Sequence, residues 1–566
     1  MTKIVVDPVT RIEGHLRVEA RVEDGFVQEA WCAGTQFRGM ELILPGRDPR
    51  DAWLFAQRIC GVCTTVHALA SVRAVEDALQ IEIPPNAQLL RELMAGIQFV
   101  QDHVVHFYHL HALDWADPAA ALEADAGEAA QLAADLSDWP GNTTQQFQAV
   151  QDQLKALVAS GQLSTFTNAY FGHPSYRLSP KVNLMLMSHY LEALRFQREI
   201  VKAHALLGGK NPHPQTYLVG GMAIPLDLSS DAALNAGKIA QLKTWFAQAK
   251  DFVRQVYYND ALALATFYKD WFGLGRSAGN YLCYGGFPDP DFPGELFPQG
   301  VIRNGNLHDA QPTDQAKINE YVTRSWFSYD QGNLSGKHPG QGQTAPQYTG
   351  PQSQYAELPT DGKYSWNKAP RYDGLPMEVG PLARVLVAYA QGQPRVKALA
   401  DGTLQRLDVS LDELQSTMGR IVARALETVA IADALPQWLA QLEANMSRGD
   451  LSIHNNGKWS PTSWPAQAQG QGFHEAPRGG LGHWVRIENG KIAHYQCVVP
   501  TTWNASPRDH AGRPGPYETA LVGTPIADPE RPVEVLRTVH SFDPCMACAA
   551  HLVDARGREL TRVRVV

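Results

Sequence analysis

Two Cys-x-x-Cys pairs stand near opposite ends of this chain, 485 residues apart, and they restrict how it can fold. The first is Cys60-Gly61-Val62-Cys63, followed by His67; the second is Cys545-Met546-Ala547-Cys548, followed by His551. If the four thiols serve one site, both ends of a 566-residue chain must meet there and form a four-thiolate pocket suited to a soft transition metal. Zinc ribbons keep their pairs close in sequence, because the metal replaces the core of a small module. A chain this long builds its own core. Thiol chemistry alone leaves three readings open: a redox-active metal centre, a structural zinc and unrelated thiols. An iron–sulfur cluster also fits four thiolates, although its usual spacings are absent.

Seven cysteines, four of them in pairs, argue against a disulfide framework and for metal or redox chemistry. A net charge of −9 with no basic, aromatic-interleaved stripe excludes a nucleic-acid binder. No apolar run approaches the ~20 residues needed to span a bilayer. The segment from Met1 to Pro8 lacks the apolar core of a signal peptide. The residues by themselves therefore predict a cytoplasmic chain, unless a partner carries an export signal.

The pattern along the chain predicts an α+β, helix-dominated fold, with long central helices and short antiparallel strands from the two terminal regions. Leu16–Val22 alternates with period two before the turn residues Asp24-Gly25, and His483–Glu488 alternates before Asn489-Gly490. Asp48-Pro49 reads as a helix start. Ser179-Pro180 opens the clearest helix, which Gly208-Gly209 ends. Further helical patterns cover roughly 86–115, 231–272, 381–400 and 408–445. The Gly-, Pro-, Asn-, Gln- and Tyr-rich stretch over 273–375 reads as an irregular layer packed on them. No repeat or clean linker divides residues 1–566, so they read as one large unit.

Seven or more ordered motifs then give a specific resemblance. They include Arg11-Ile12-Glu13-Gly14-His15, Arg38-Gly39-Met40-Glu41, Arg58 through His67 and Gly208-Gly209-Lys210-Asn211-Pro212-His213. Glu378-Val379-Gly380-Pro381-Leu382, Glu475-Ala476-Pro477-Arg478-Gly479, Val499 through Asn504 and Asp543 through His551 complete the set. Over essentially its whole length the chain resembles the large, catalytic subunit of nickel–iron hydrogenases, most of all the membrane-associated uptake type. That resemblance implies reversible heterolytic cleavage of H2, with electrons passed to an obligate iron–sulfur small subunit and on to a membrane or quinone-linked acceptor. It also implies a location on the periplasmic side of the inner membrane, reached by export with that subunit. The quinone-site subunit of respiratory complex I shares this fold but lacks the four thiols retained here.

Carried over residue by residue, the resemblance makes Cys60 and Cys545 terminal thiolates on nickel, with Cys63 and Cys548 bridging to an iron that bears carbon monoxide and cyanide. Glu13 becomes the proton relay from Cys545; its alternative is an ion pair with Arg11. Arg478 sits over the metals, held by Asp102 and Asp543, and polarises bound hydrogen, since a guanidinium does not deprotonate in proteins. Pro477, Pro500 and Thr501 surround the diatomic ligands, and His67 supports a bridging thiolate. Glu41, the main-chain carbonyl of Cys497 and His551 are implied as ligands to Mg2+. Residues 552–566 match a tail that a dedicated maturation protease removes after chaperones load nickel. Cys32, Cys283 and Cys497 read as small buried side chains. His103, His106, His109 and His111 read as packed or hydrogen-bonded histidines beside Asp102, and not as a second metal site.

Overall fold

A computed structural model describes residues 2–37, 39–163, 166–167, 169–329, 336–351 and 356–546. Strands β1 (Thr2–Val6), β2 (Leu16–Glu23) and β3 (Phe26–Gly34) form an antiparallel sheet in that order. Asp24 and Gly25 both take positive φ, 53° and 80°, which is the geometry a two-residue hairpin requires.

The middle is helical: α1 (Val66–Leu79), α2 (Pro85–Val105), α3 (Pro180–Gly208), α4 (Ala236–Phe252) and α5 (Thr417–Ser447) carry much of the apolar core. Helix α3 starts and stops where Ser179-Pro180 and Gly208-Gly209 predict, with Gly209 at φ 76°. The Asp48 carboxylate accepts from the Arg50 N–H and caps a short 3-10 turn, Pro49–Asp51. Elsewhere the long patterns prove interrupted. Helix α2 passes into a π-turn at His106–His111 and a 3-10 turn at Ala112–Asp114; another π-turn, Val253–Tyr257, follows α4. The pattern over 381–400 divides into Pro381–Ala390 and Pro394–Leu407, because Pro394 has no N–H to continue the earlier helix. Helix α5 starts only at Thr417, where the Ser416 hydroxyl caps it by accepting from Gly419 N–H at 3.0 Å. Ala126–Leu136 and Thr144–Ser160 are helices that the sequence pattern leaves unmarked. The layer over 273–375 holds short two-stranded ladders, such as Ile318–Tyr321 with Ala369–Tyr372. No helix among the described residues is long and apolar enough to cross a membrane.

Near the C-terminus, β4 (Gln467–Ala476), β5 (Gly479–Glu488) and β6 (Lys491–Val498) form a second antiparallel sheet. It rests directly on α1. A Cβ at Gly472 would lie 2.1 Å from the Ala70 carbonyl oxygen, so only glycine permits this approach. Helix α6 (Val533–Ser541) then returns the chain to its beginning. Glu13 and Cys545 form a parallel bridge, closed by Met546 N–H donating to the Glu13 carbonyl at 2.7 Å. The two ends of the chain meet as the cysteine pairs require.

Candidate metal centre

The loop before α1 turns Cys60 and Cys63 inward, and the amides of Val62 and Cys63 donate to Cys60 Sγ at 3.3 and 3.2 Å. From the other end of the chain, Cys545 Sγ lies 3.4 Å from Cys60 Sγ and 4.0 Å from Cys63 Sγ. The ligand atoms of the three lie within 4.8 Å of one another, all three residues are buried, and none is in a disulfide. No other group of three or more His, Cys, Asp or Glu is so arranged among the described residues. Cys548, His551 and residues 552–566 lie outside the described residues, as does Arg38.

Cys545 Sγ donates to Glu13 Oε2 at 3.5 Å. Arg11, two residues before Glu13, pairs with Asp114 at 2.5 Å. Thr501 Oγ1 accepts from the Cys545 N–H at 3.0 Å, which leaves the Thr501 hydroxyl proton to donate elsewhere.

Pro477 and Arg478 form the tip of the β4–β5 hairpin. Arg478 Nη1 meets Asp102 Oδ2 at 3.1 Å, and Nη2 meets Asp543 Oδ1 at 3.1 Å. Each carboxylate takes a different nitrogen, so the clamp is two-sided and not bidentate. Burial opposes the Arg478 charge, but Asp543, Cys545 and Asp102 more than offset it and hold the guanidinium pKa well above its usual value. One guanidinium serves two carboxylates, and burial pushes Asp102 up to about 7. Gln98, one turn earlier on α2, donates to Asp102 at 2.5 Å and to the Val62 carbonyl at 3.0 Å. Arg478, Cys63, Cys545, Pro500, Thr501 and His67 share the lining of one small cavity. His67 Nδ1 is 3.1 Å from His483 Nε2, and His483 Nδ1 is 2.7 Å from Tyr495 Oη.

Sequence reasoning missed the buried frame beneath this hairpin. Arg384 pairs with Glu427 at 2.5 Å and with Glu475 at 2.6 Å, and donates to the carbonyls of Ala476 and Pro477 at 2.8 Å each. Burial raises the Glu427 pKa, but Arg384 and His103 outweigh it and keep the carboxylate below its usual value. A lone arginine in the apolar run of Pro381–Ala390 was the available signal. The four histidines are held as expected: His103 by Glu427, His106 by the His540 carbonyl, His109 by the Tyr190 carbonyl and His111 by the Arg537 carbonyl.

Glu41 lies beside Cys497, whose N–H donates to Glu41 Oε1 at 3.1 Å. Lys368 donates to Glu41 Oε2 at 3.3 Å and lies 3.9 Å from Glu320; neither residue carried a sequence signal. Burial lowers the Lys368 pKa less than Glu320 and Glu41 raise it. Burial also pushes Glu320 up to about 7, and its Oε1 is buried without a hydrogen-bond partner.

A family model described as nickel-dependent hydrogenase matches residues 38–551, and one described as HoxL-like matches residues 3–37. The chain belongs to the nickel-dependent hydrogenase family. It is 48% identical, over 100% of its length and 97% of the relative's, to the uptake hydrogenase large subunit of Bradyrhizobium diazoefficiens. It is 47% identical to the hydrogenase-1 large chain of Escherichia coli over the same shares of each. Among solved structures, the Ni-Fe-Se hydrogenase from D. vulgaris Hildenborough in its reduced state aligns with a TM-score of 0.76 at 35% identity. That match covers 97% of this chain and 100% of that one. The chain is thus the large, catalytic subunit of a hydrogenase, with the helix-dominated α+β fold of that family. Its cysteine cluster is the candidate Ni–Fe site, and a large subunit implies a small-subunit partner.

Proposed function

We propose that this hydrogenase subunit oxidises H2 at a nickel–iron centre held by Cys60, Cys63, Cys545 and Cys548. The observation that carries this reading is the convergence of three buried thiols from both chain ends with a carboxylate at 3.5 Å. An all-sulfur, buried donor set fits a soft metal. When bound, the centre, with carbon monoxide and cyanide on its iron, supplies the Lewis acidity and electron acceptance that split H2 into two protons and two electrons.

The chain's own groups manage charge and protons. Arg478 presents a fixed cation to the cavity while its carboxylate clamp prevents it from swinging out. Cys545 Sγ holds a proton that passes to Glu13 Oε2, breaking an S–H bond and forming an O–H bond. A carboxylate within reach of the sulfur performs that transfer as a general base. Pro477, Pro500 and the free hydroxyl proton of Thr501 shape the space around the diatomic ligands, and His67 supports a bridging sulfur. Glu41, the Cys497 carbonyl and His551 would hold Mg2+, and the Glu320 oxygen without a hydrogen-bond partner, which shares Lys368 with Glu41, would accept from its water shell.

Electrons leave to an iron–sulfur small subunit. Exposed Gly61 and Val62, between the first two thiols, bring that subunit's surface close to the centre. A membrane or quinone-linked acceptor follows, and the pair is exported together to the periplasmic side of the inner membrane. Residues 1–566 are read as one unit from which a maturation protease removes 552–566 after chaperones load nickel. Metal analysis of the protein co-produced with its small subunit tests the reading. About one nickel per chain with H2-dependent dye reduction is the expected result, as for a single four-thiolate site. Zinc without nickel in a chain whose tail has been removed would overturn it.

A further inference from the structure

The Glu13–Cys545 contact joins two chain ends that lack covalent support, and a buried cluster around Asp114 accounts for its geometry. Arg11, two residues before Glu13, reaches Asp114 Oδ1 at 2.5 Å and donates to the Leu110 carbonyl at 2.7 Å. His540, five residues before Cys545, meets Asp114 Oδ2 through Nδ1 at 2.6 Å and the Thr10 carbonyl through Nε2 at 2.8 Å. The His540 ring thus bridges the Asp114 carboxylate and the Thr10 carbonyl. The Asp114 carboxylate therefore ties together Arg11 and His540, one from each of the segments that carry Glu13 and Cys545; Asp114 and His540 are fully buried and Arg11 is partly buried. Arg537, one helical turn before His540, donates from Nε to the Asp114 carbonyl at 2.7 Å. His111 Nε2 lies 3.7 Å from Asp114. Arg11 itself takes φ 54°, a conformation that side-chain-bearing residues hold only under surrounding constraint.

Asp114 ends the same segment that begins with Asp102, twelve residues earlier. Asp102 at one end holds Arg478, and Asp114 at the other holds Arg11 and His540 from the two segments that carry Glu13 and Cys545. We propose that Asp114 is a positioning residue for proton transfer: by pinning Arg11 and His540 it sets the distance between Cys545 Sγ and Glu13. This rests on the reading of Glu13 as the proton acceptor.

A double-mutant cycle in the heterodimer tests both layers. Asp114→Asn is expected to retain nickel, leave KM for H2 unchanged and lower kcat about 10- to 100-fold, the scale of an ångström-level misplacement. In the Glu13→Gln background the same change should have no further effect, because it acts through Glu13. The carboxyl-stretch infrared band that disappears in Glu13→Gln should shift in Asp114→Asn, a readout independent of turnover. Unchanged turnover in Glu13→Gln alone would sink the relay reading. A slow Glu13→Gln combined with full activity in Asp114→Asn, or with additive losses, would overturn the positioning role alone. If Asp114→Asn fails to retain nickel, the cycle is run with His540→Gln, which keeps the Asp114–Arg11 pair. Loss of nickel there too would make the cluster a folding element and overturn the proposal.

Discussion

Replacing Arg478 separates electrostatic polarisation from proton abstraction, because the two roles predict opposite signs for a lysine. Arg478 spans two carboxylates through different nitrogens at 3.1 Å each, and only 3% of it is exposed. A single ammonium cannot hold both, so Arg478→Lys keeps the charge but draws it toward one carboxylate. A unit charge ~4 Å from a developing charge contributes about 4 kcal/mol at an effective dielectric constant of about 20, and ~6 Å reduces that to about 3. The lysine variant should therefore lose about tenfold in kcat, whereas Arg478→Met should lose about a thousandfold, at ~1.4 kcal/mol per decade. Hydrogen-dependent dye reduction by the purified heterodimer, normalised to nickel content, measures both. If Arg478 acted as a base, lysine would be the better one, since an ammonium gives up its proton more readily than a guanidinium. Arg478→Lys as fast as or faster than the native enzyme would refute the argument.

Two stability predictions follow from burial. Glu518 is buried and accepts from Cys32 N–H at 3.1 Å and Tyr364 Oη at 2.8 Å, and burial pushes its pKa from 4.5 up to about 7. The folded value lies above the unfolded one, so its stabilising contribution is complete below about pH 4.5 and is lost as the pH rises through about 7. Glu518→Gln should flatten the fall in thermal stability between about pH 5 and 8, and an unchanged fall would assign it to other groups. Gly472→Ala would place its Cβ 2.1 Å from the Ala70 oxygen, against main chain that cannot rotate away. It should cost at least about 3 kcal/mol, measurable as a lowered unfolding midpoint or loss of soluble heterodimer; a variant of native stability would show that the sheet can lift from α1.

What could be read ahead of the structure follows from the range of the forces involved. The Asp24-Gly25 and Asn489-Gly490 turns were legible because positive φ is a local demand with a local residue signature. The interruptions at 106–111 and 253–257 were not, because π-turns leave the apolar periodicity nearly intact. Within the site, the four cysteines, Glu13, Arg478 and Asp102 were named from the family resemblance, and the structure brings Cys60, Cys63 and Cys545 together with Glu13, Arg478 and Asp102. Gln98, outside the ordered motifs, was not named, nor were Arg384, Lys368 and Asp114, which work through partners distant in sequence. Asp114 meets a side chain 103 positions away and another 426 positions away, and no window along the chain contains that information.

Those same long-range partners explain why the centre can be both buried and charged. Arg478, Asp102, Asp543, Glu427, Arg384 and Glu475 are all nearly inaccessible, and isolated charges in such a place would be prohibitive. Each is instead paired, and each pair joins segments that carry site atoms: Asp102 links α2 to the β4–β5 tip, Arg384 links that tip to α5, and Asp114 links residue 11 to α6. Such pairs add little net stability, because desolvation consumes most of the attraction. Their geometry is nevertheless strict, since breaking one strands its partner. The network therefore fixes positions more than it adds stability, and the Met546 N–H donating to the Glu13 carbonyl joins the two chain regions beside it. One main-chain bridge thus places both the Glu13 carboxylate and the third thiol, so on the proposed reading the thiol pocket and the proton path share a single contact.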